Sequence, residues 1–513
     1  MTTIADIRSQ PEAAAAFSWD KLWQLFDGNQ ERMNLAHECL DRHVGRGRAV
    51  SIKFADGRIE HHDFARLADL SGRFANWLAR GGVAKGERVA VMMEPSLGFY
   101  VGMFGAVKRG AIGVPLFTLF GPEGLALRIN DCKPTVLLVD GDPAALAAQF
   151  PAIRVVQVDA AFWAELASET AQFTPDTAAN DLAIFQYTSG TTRELPEAVR
   201  HSHRAVVTLM IAALYGVGLE PADRYFCPSS PAWGHGLWHG TIAPLALGIH
   251  IGAYSGRFDP ARIVEALGEL RITNFAAAAT VFRMIRHAGL LQPGDLALPK
   301  ISFTGEPIDD DTAAWVERTL GSPACSMYGT TEVGVVIANY PGFKDYHVKP
   351  GSLGKPVPGW EVAIIDREGR ESPAGESGEI AVKRKGEWFY IKDRGRRDAD
   401  GYFFHEGRSD DVIISAGWTM SAVEIENSLM KHPAVLEAAV IGVPDAMRGQ
   451  VVRAYIVTRG GAAAPVEDIQ TFMKTQLSQH EYPRQIEFVT ELPKTPAGKI
   501  NRKVLRDRAA QAK

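Results

Sequence analysis

Phe64-Ala-Arg-Leu67-Ala-Asp-Leu70-Ser-Gly-Arg-Phe74-Ala-Asn-Trp77, followed by the apolar runs Val89 to Met93, Val136 to Val139 and Val155 to Val158, sets the fold class. In the first segment the large apolar residues recur at helical spacing, whereas the later runs have the length of buried strands. Helical and strand-like stretches alternating in this way predict a layered α/β architecture with mostly parallel, buried strands. Periodicity leaves the order of those strands open.

A chain of 513 residues exceeds what one core organises, and a 46% apolar fraction is ample for at least two domains. Near the C-terminus the texture changes. Strand-like AAVIGVP (438–444) and VVRAYIV (451–457), helical VEDIQTFMKTQL (466–477) and a final IEFVTEL (486–492) fit one small α+β domain. Its start is placed at Asp410, giving a large N-terminal domain of layered α/β subdomains over 1–409 and a small C-terminal domain over 410–513. The charged stretch from Lys383 to Arg408, with DRGRRDADGYF at 393–403, reads as a turn-rich approach to that boundary, with a surface hairpin as the alternative.

A net charge of -5 gives no global basic field for nucleic acid. Cys39, Cys132, Cys227 and Cys325 lie far apart without paired metal spacing, which favours reduced thiols over a zinc site. The first residues, with Asp6 and Glu12, lack the basic stretch and apolar run of a secretory signal, and no apolar segment is long enough to span a bilayer. A soluble, cytoplasmic protein is expected.

Three segments carry chemistry. Tyr187-Thr-Ser-Gly-Thr-Thr192 follows the apolar LAIFQ, and its small hydroxylated residues around Gly190 allow backbone amides and hydroxyls to approach phosphate oxygens. An ordinary Ser/Thr-rich turn is the alternative, and no Walker lysine follows. In Tyr328-Gly-Thr-Thr-Glu332 a tyrosine offers an aromatic face to a base, a hydroxyl can bond phosphate, and a carboxylate can hold magnesium. Here the alternative is a turn capped by Thr331 or Glu332. In Lys494-Thr-Pro-Ala-Gly-Lys499, Pro496 and Gly498 shape a loop able to present Lys499, unless the segment is a solvated basic tail.

In this order these segments resemble the adenylate-forming superfamily of acyl-CoA ligases, luciferases and peptide-synthetase adenylation domains, from about Phe64 to Arg502. Further matches lie at Thr304-Gly-Glu-Pro307, Asp393, Asp400-Gly-Tyr-Phe403 and Gly407-Arg-Ser-Asp-Asp411. The resemblance implies that ATP, Mg2+, coenzyme A and a small carboxylic acid are bound. Gly305, Glu306 and Pro307 would line the adenine site, with Tyr328 against the base and Gly329 and Thr330 beside it. Thr188, Ser189, Gly190, Thr191 and Thr192 would lie near the phosphates, Thr331 near the α-phosphate and Glu332 at magnesium. Asp393 and Arg408 match ribose-binding positions. Lys499 would offset the charge that builds when the carboxylate attacks the α-phosphorus. The small domain would be mobile about Asp410, and Ser415, Ala416 and Gly417 would approach the pantetheine tunnel.

Two departures stand out. After Thr192 the family usually has Gly, one variable residue, Pro, Lys and Gly, whereas this chain has Arg193-Glu-Leu-Pro-Glu-Ala198. The extra residue is expected to turn Glu197 away and let Arg193 replace the lost lysine, with a mobile surface loop as the alternative. In Ser229-Ser-Pro-Ala-Trp233-Gly-His-Gly-Leu237, Trp233 stands where many aryl-CoA ligases have histidine, and with His235 and Gly236 it is expected at the acyl pocket. That tryptophan, Glu481-Tyr-Pro-Arg484 and Glu491-Leu-Pro-Lys-Thr495 look like the medium-chain branch. An acid-CoA ligase for a medium-chain, cyclic or aromatic acid is the leading expectation. Transfer to a carrier-protein thiol and a non-turnover acyl-nucleotide-binding protein are the rivals, and oligomeric state stays open, a homodimer included.

Overall fold

The computed structural model describes residues 3–120, 122–187, 198–305, 307–330, 333–408, 412–415, 418–445, 449–461, 465–476, 482–494 and 500–511. Packing divides the chain into two compact units, Met1–Val348 with Val357–Gly359, and Lys349–Pro356 with Trp360–Lys513.

In the first unit the expected helix forms over Phe64–Arg80 and buries Leu67, Leu70, Phe74 and Trp77. Asp63 starts it by accepting a 2.6 Å hydrogen bond from the Arg66 amide, which satisfies one of the free N–H groups of the first turn. The apolar runs become the strands Arg88–Met92, Val136–Val139 and Arg154–Gln157. Their sheet runs in the order Arg154–Gln157, Val136–Val139, Arg88–Met92, Ile112–Pro115, Leu182–Gln186, Val199–Ser202. Pairing is parallel as far as Leu182–Gln186, as continuous apolar runs buried on both faces require. Val199–Ser202 then pairs antiparallel with Leu182–Gln186, with Gln186 opposite Val199.

A second sheet of this unit places Gly334–Ala338, Cys325–Thr330, Lys300–Thr304, Asn274–Ala278, Arg224–Phe226, His250–Ser255, Arg48–Phe54 and Ile59–Asp63 side by side. From Cys325–Thr330 to Arg48–Phe54 its neighbours are parallel, while the two outermost pairings in this series are antiparallel. Helices Pro260–Glu269, Ala279–Ala288 and Asp310–Leu320 supply apolar faces around Phe226, Phe275, Phe282 and Leu320.

The second unit holds an antiparallel sheet ordered Val362–Ile365, Ser377–Arg384, Glu387–Arg397, Phe403–Arg408. The stretch from Lys383 to Arg408 is therefore mostly strand. Charged residues there alternate with buried ones such as Ile391 and Asp393 along a sheet with one open face, and the dense charge hid this period-two pattern. A further sheet runs Trp418–Ser421, Val412–Ser415, Gly449–Thr458, Val435–Asp445, with Gln485–Phe488 parallel to Gly449–Thr458. Helices Ala422–Met430 and Val466–Gln476 pack against its core around Ile425, Val440, Ile456 and Ile469. Among the described residues no helix is long and apolar enough to cross a membrane.

Candidate active site

Parallel strands Lys300–Thr304 and Cys325–Thr330 end side by side, with Ser302 opposite Cys325 and Phe303 opposite Ser326. Their carboxyl ends are further tied by the Thr304 hydroxyl, which donates to the Met327 carbonyl at 2.8 Å. Gly305, turning at φ 96°, thus leaves one strand next to Tyr328, Gly329 and Thr330 on the other. Ligands of open α/β sheets bind outside such carboxyl ends. Gly329 faces the start of Gly334–Ala338 so closely that a Cβ would lie 1.8 Å from the Gly334 oxygen. Next to it, the Thr330 hydroxyl is buried without a hydrogen-bond partner among the described residues. An unmet buried hydroxyl at a strand end suits an oxygen-rich ligand, because leaving it unpaired costs about 1–3 kcal/mol.

On the other sheet, Leu182–Gln186 delivers Tyr187 to the head of the Thr-rich segment. Its last residue, Gln186, is 4% exposed and accepts a 2.8 Å hydrogen bond from the Trp238 indole. Trp238 belongs to the π-helical turns His235–Ile242, an uncommon geometry that often marks functional sites. The preceding turn presents Trp233, half-buried, with its ring 5.2 Å from that of Phe117 and 6.0 Å from that of Phe120. Gly236 is required by close approach, since a Cβ would meet the Ser230 oxygen at 2.2 Å. His235 lies 3.1 Å from the Ser229 hydroxyl through Nδ1. Burial pushes its imidazole down to about 3, and those of His239 and His201 to about 4. All three are neutral near pH 7, so this wall offers aromatic surface and imidazole hydrogen bonds but no histidine cation.

In the second unit Asp393, 8% exposed, stands opposite Arg408 in the ladder, with its Oδ2 3.8 Å from Nε2 of His405. Ser415 pairs with Trp418 and with Gly449 in the C-terminal sheet. Thr188, Ser189, Gly190, Thr191, Thr192, Arg193, Glu197, Glu306, Thr331, Glu332, Asp410, Ala416, Gly417 and Lys499 lie outside the described residues.

Residues 41–387 match the family model described as AMP-binding enzyme, and residues 424–499 match the AMP-binding enzyme C-terminal domain. The chain belongs to the AMP-binding enzyme family. It is 32% identical to the acetyl-coenzyme A synthetase of Bacillus subtilis over 93% of this chain and 90% of that protein. An acyl-CoA synthetase structure from Brucella canis matches with a TM-score of 0.75 and 30% identity, covering 99% of this chain and 100% of that one. An anthranilate CoA ligase solved with anthranoyl-AMP matches with a TM-score of 0.80 and 27% identity, covering 95% and 99%.

Within this AMP-binding enzyme, Gly305, Tyr328, Gly329 and Thr330 are brought together at adjacent strand ends, and Pro307 lies just after Gly305 in the chain. Trp233 and Gly236 are brought to the second cluster. Several neighbours escaped the sequence reading: Phe117 and Phe120 beside Trp233, Gln186 under Trp238, and Asp131, whose carboxylate contacts both Tyr187 and Ala198. Each sits in an ordinary apolar or helical context without a motif. Only the acid at the end of a helix offered a signal, since a carboxylate there opposes the helix dipole.

Proposed function

We propose that this ATP-dependent, AMP-forming acid-CoA ligase activates a medium-chain, cyclic or aromatic acid. The observation that carries this reading is the half-buried Trp233 ring set against Phe117 and Phe120, an aromatic wall suited to alkyl or ring surface. The substrate carboxylate attacks the α-phosphorus of MgATP, a P–O bond forms as pyrophosphate leaves, and the acyl-adenylate remains. The CoA thiol then displaces AMP and leaves a thioester.

Tyr328 is assigned to the base with Gly305, Glu306, Pro307 and Gly329, and Asp393 and Arg408 to the ribose. Thr188, Ser189, Gly190, Thr191, Thr192 and Thr331 are assigned to the phosphates. Magnesium supplies charge neutralisation to the triphosphate, and Glu332 is the residue proposed to hold it. The Thr330 hydroxyl close by in the chain, without a partner among the described residues, fits the same hard-oxygen chemistry. Lys499 supplies a positive charge during adenylation, and rotation of 410–513 about Asp410 then gives way to thiol attack near Ser415, Ala416 and Gly417. The free, buried cysteines suit a reducing, cytoplasmic compartment.

Pyrophosphate and AMP release across short, medium, branched, cyclic and aromatic acids, with and without CoA, tests the reading. The expected result is the highest kcat/KM on a medium-chain or ring-bearing acid, with thioester appearing only when CoA is added. Best turnover on acetate would overturn the acid class. Transfer only to a carrier-protein thiol would overturn CoA as acceptor.

A further inference from the structure

Gln186 and Val199 form the last paired rung, among the described residues, of the two strands that flank the Thr-rich segment in sequence. One residue further out, backbone pairing between Tyr187 and Ala198 has stopped, and a side chain from elsewhere takes its place. Asp131, in the last turn of helix Pro122–Cys132, accepts from the Tyr187 hydroxyl at 2.6 Å and from the Ala198 amide at 3.3 Å, both through Oδ2. A single oxygen therefore ties together the two residues that flank 188–197 in the chain. We propose that Asp131 is a positioning residue which fixes the mouth of the triphosphate loop and so sets the affinity for MgATP.

The physical case rests on several features. Closing a loop costs chain entropy, and a contact that pins both ends removes part of that cost before ligand arrives. The acceptor is a carboxylate, so both bonds are charge-assisted and stronger than neutral ones. Its place works against the helix dipole, where a carboxylate is disfavoured by about 0.3–1 kcal/mol. An acid retained there is explained by what it holds rather than by the helix. Tyr187 is 2% exposed and Ala198 is 8% exposed, so few waters can substitute. Arg128, one turn back on the same helix, holds its guanidinium 3.8 Å from the Phe120 ring centroid and 5.6 Å from that of Tyr187. Phe120 in turn touches Trp233. One helix thus braces the loop stems through Asp131 and the aromatic wall through Arg128.

Asp131 itself is exposed, and on its removal the Tyr187 hydroxyl still has the Arg128 carbonyl at 2.9 Å as acceptor. Its loss therefore leaves the core intact and changes loop geometry, which separates positioning from general stability.

The proposal rests on residues 188–192 being the triphosphate loop of the ligase. The test uses the full chain, with pyrophosphate exchange giving separate KM values for MgATP and acid, and calorimetry giving MgATP affinity. Asp131→Ala is expected to raise the MgATP KM and Kd about tenfold, the worth of one net charge-assisted hydrogen bond, with the acid KM and Tm nearly unchanged. Asp131→Asn, which keeps one acceptor oxygen, should recover much of the loss. Tyr187→Phe should weaken MgATP in the wild-type background but add less in the Asp131→Ala background, because both act through one contact. Equal rises in both KM values, a fall in Tm with unchanged MgATP affinity, or full additivity of the two substitutions would each overturn the clamp while the ligase reading stands. A wild-type chain that binds no MgATP would overturn both.

Discussion

Replacing Gly329 by alanine would place a methyl carbon 1.8 Å from the Gly334 oxygen and 2.6 Å from its carbonyl carbon. Both atoms are backbone, so no side chain can swing aside. To restore the 3.0 Å below which Cβ contacts essentially never fall, the strands must part by about 1.2 Å. That displacement lands on Tyr328 and Thr330, the two neighbours of Gly329, and hence on the proposed base contact and on the hydroxyl beside it. Misplacing positioning groups by about 1 Å costs on the order of 100-fold in rate. The loss corresponds to about 2.7 kcal/mol in the barrier. Pyrophosphate exchange at saturating acid, giving kcat/KM for MgATP, is the assay. Gly141→Ala is the control, since a Cβ there meets nothing within 4 Å. If Gly329→Ala keeps kcat/KM within about threefold of that control, Gly329 does not hold the nucleotide site in register and the reasoning fails.

Lys499→Ala should cripple adenylate formation yet largely spare thioester formation from supplied acyl-adenylate; equal loss in both steps, with the fold intact, would refute that division of labour. Asp410→Pro should show the reverse, with adenylation kept and thioester formation lost, because proline locks the φ angle on which rotation depends; normal overall turnover would remove Asp410 as hinge. Trp233→Ala should shift preference towards bulkier acids, read as relative kcat/KM across chain length and ring size, whereas a lower Tm with unchanged preference would make the indole a core contact only. Acidification should lower stability between about pH 6.5 and 4. Fully buried His203 is pushed down by desolvation from 6.5 to about 4, and its Nδ1 accepts from the Leu35 amide at 3.0 Å. The unfolded chain therefore takes up the proton first, so this stability is complete above pH 6.5 and lost as pH falls. His37, raised mainly by its hydrogen bond to Asp41, acts in the opposite direction. His203→Gln should flatten the fall in Tm between pH 7 and 5, and a wild-type Tm flat over that range would contradict the account.

Local pattern was enough for the elements that are buried in a simple way. The Phe64–Arg80 helix follows from apolar residues at helical spacing, and the strands at Arg88–Met92 and Val136–Val139 follow from short apolar runs, because burial on one stripe or on two faces leaves a direct imprint on composition. The candidate site was read from rare combinations of residue types, as in Tyr328-Gly-Thr-Thr-Glu332, of which Thr331 and Glu332 lie outside the described residues. Tertiary structure alone decided what lies across space from those segments. The strand order sets Thr304 beside Met327, the antiparallel pairing of Gln186 with Val199 sets Tyr187 and Ala198 at neighbouring strand ends, and the end of a separate helix joins them through Asp131. Such pairings join residues that are not neighbours along the chain, and a single aspartate or phenylalanine carries no period or spacing to announce its partner. The sequence by itself determined the family, the layered α/β class and the motif residues, since these depend on local composition and on combinations of residue types. The neighbours of Trp233, the need for glycine at 236 and 329, and the shared oxygen on Asp131 arise only when the sheets are assembled, because they depend on distances between strands rather than along the chain.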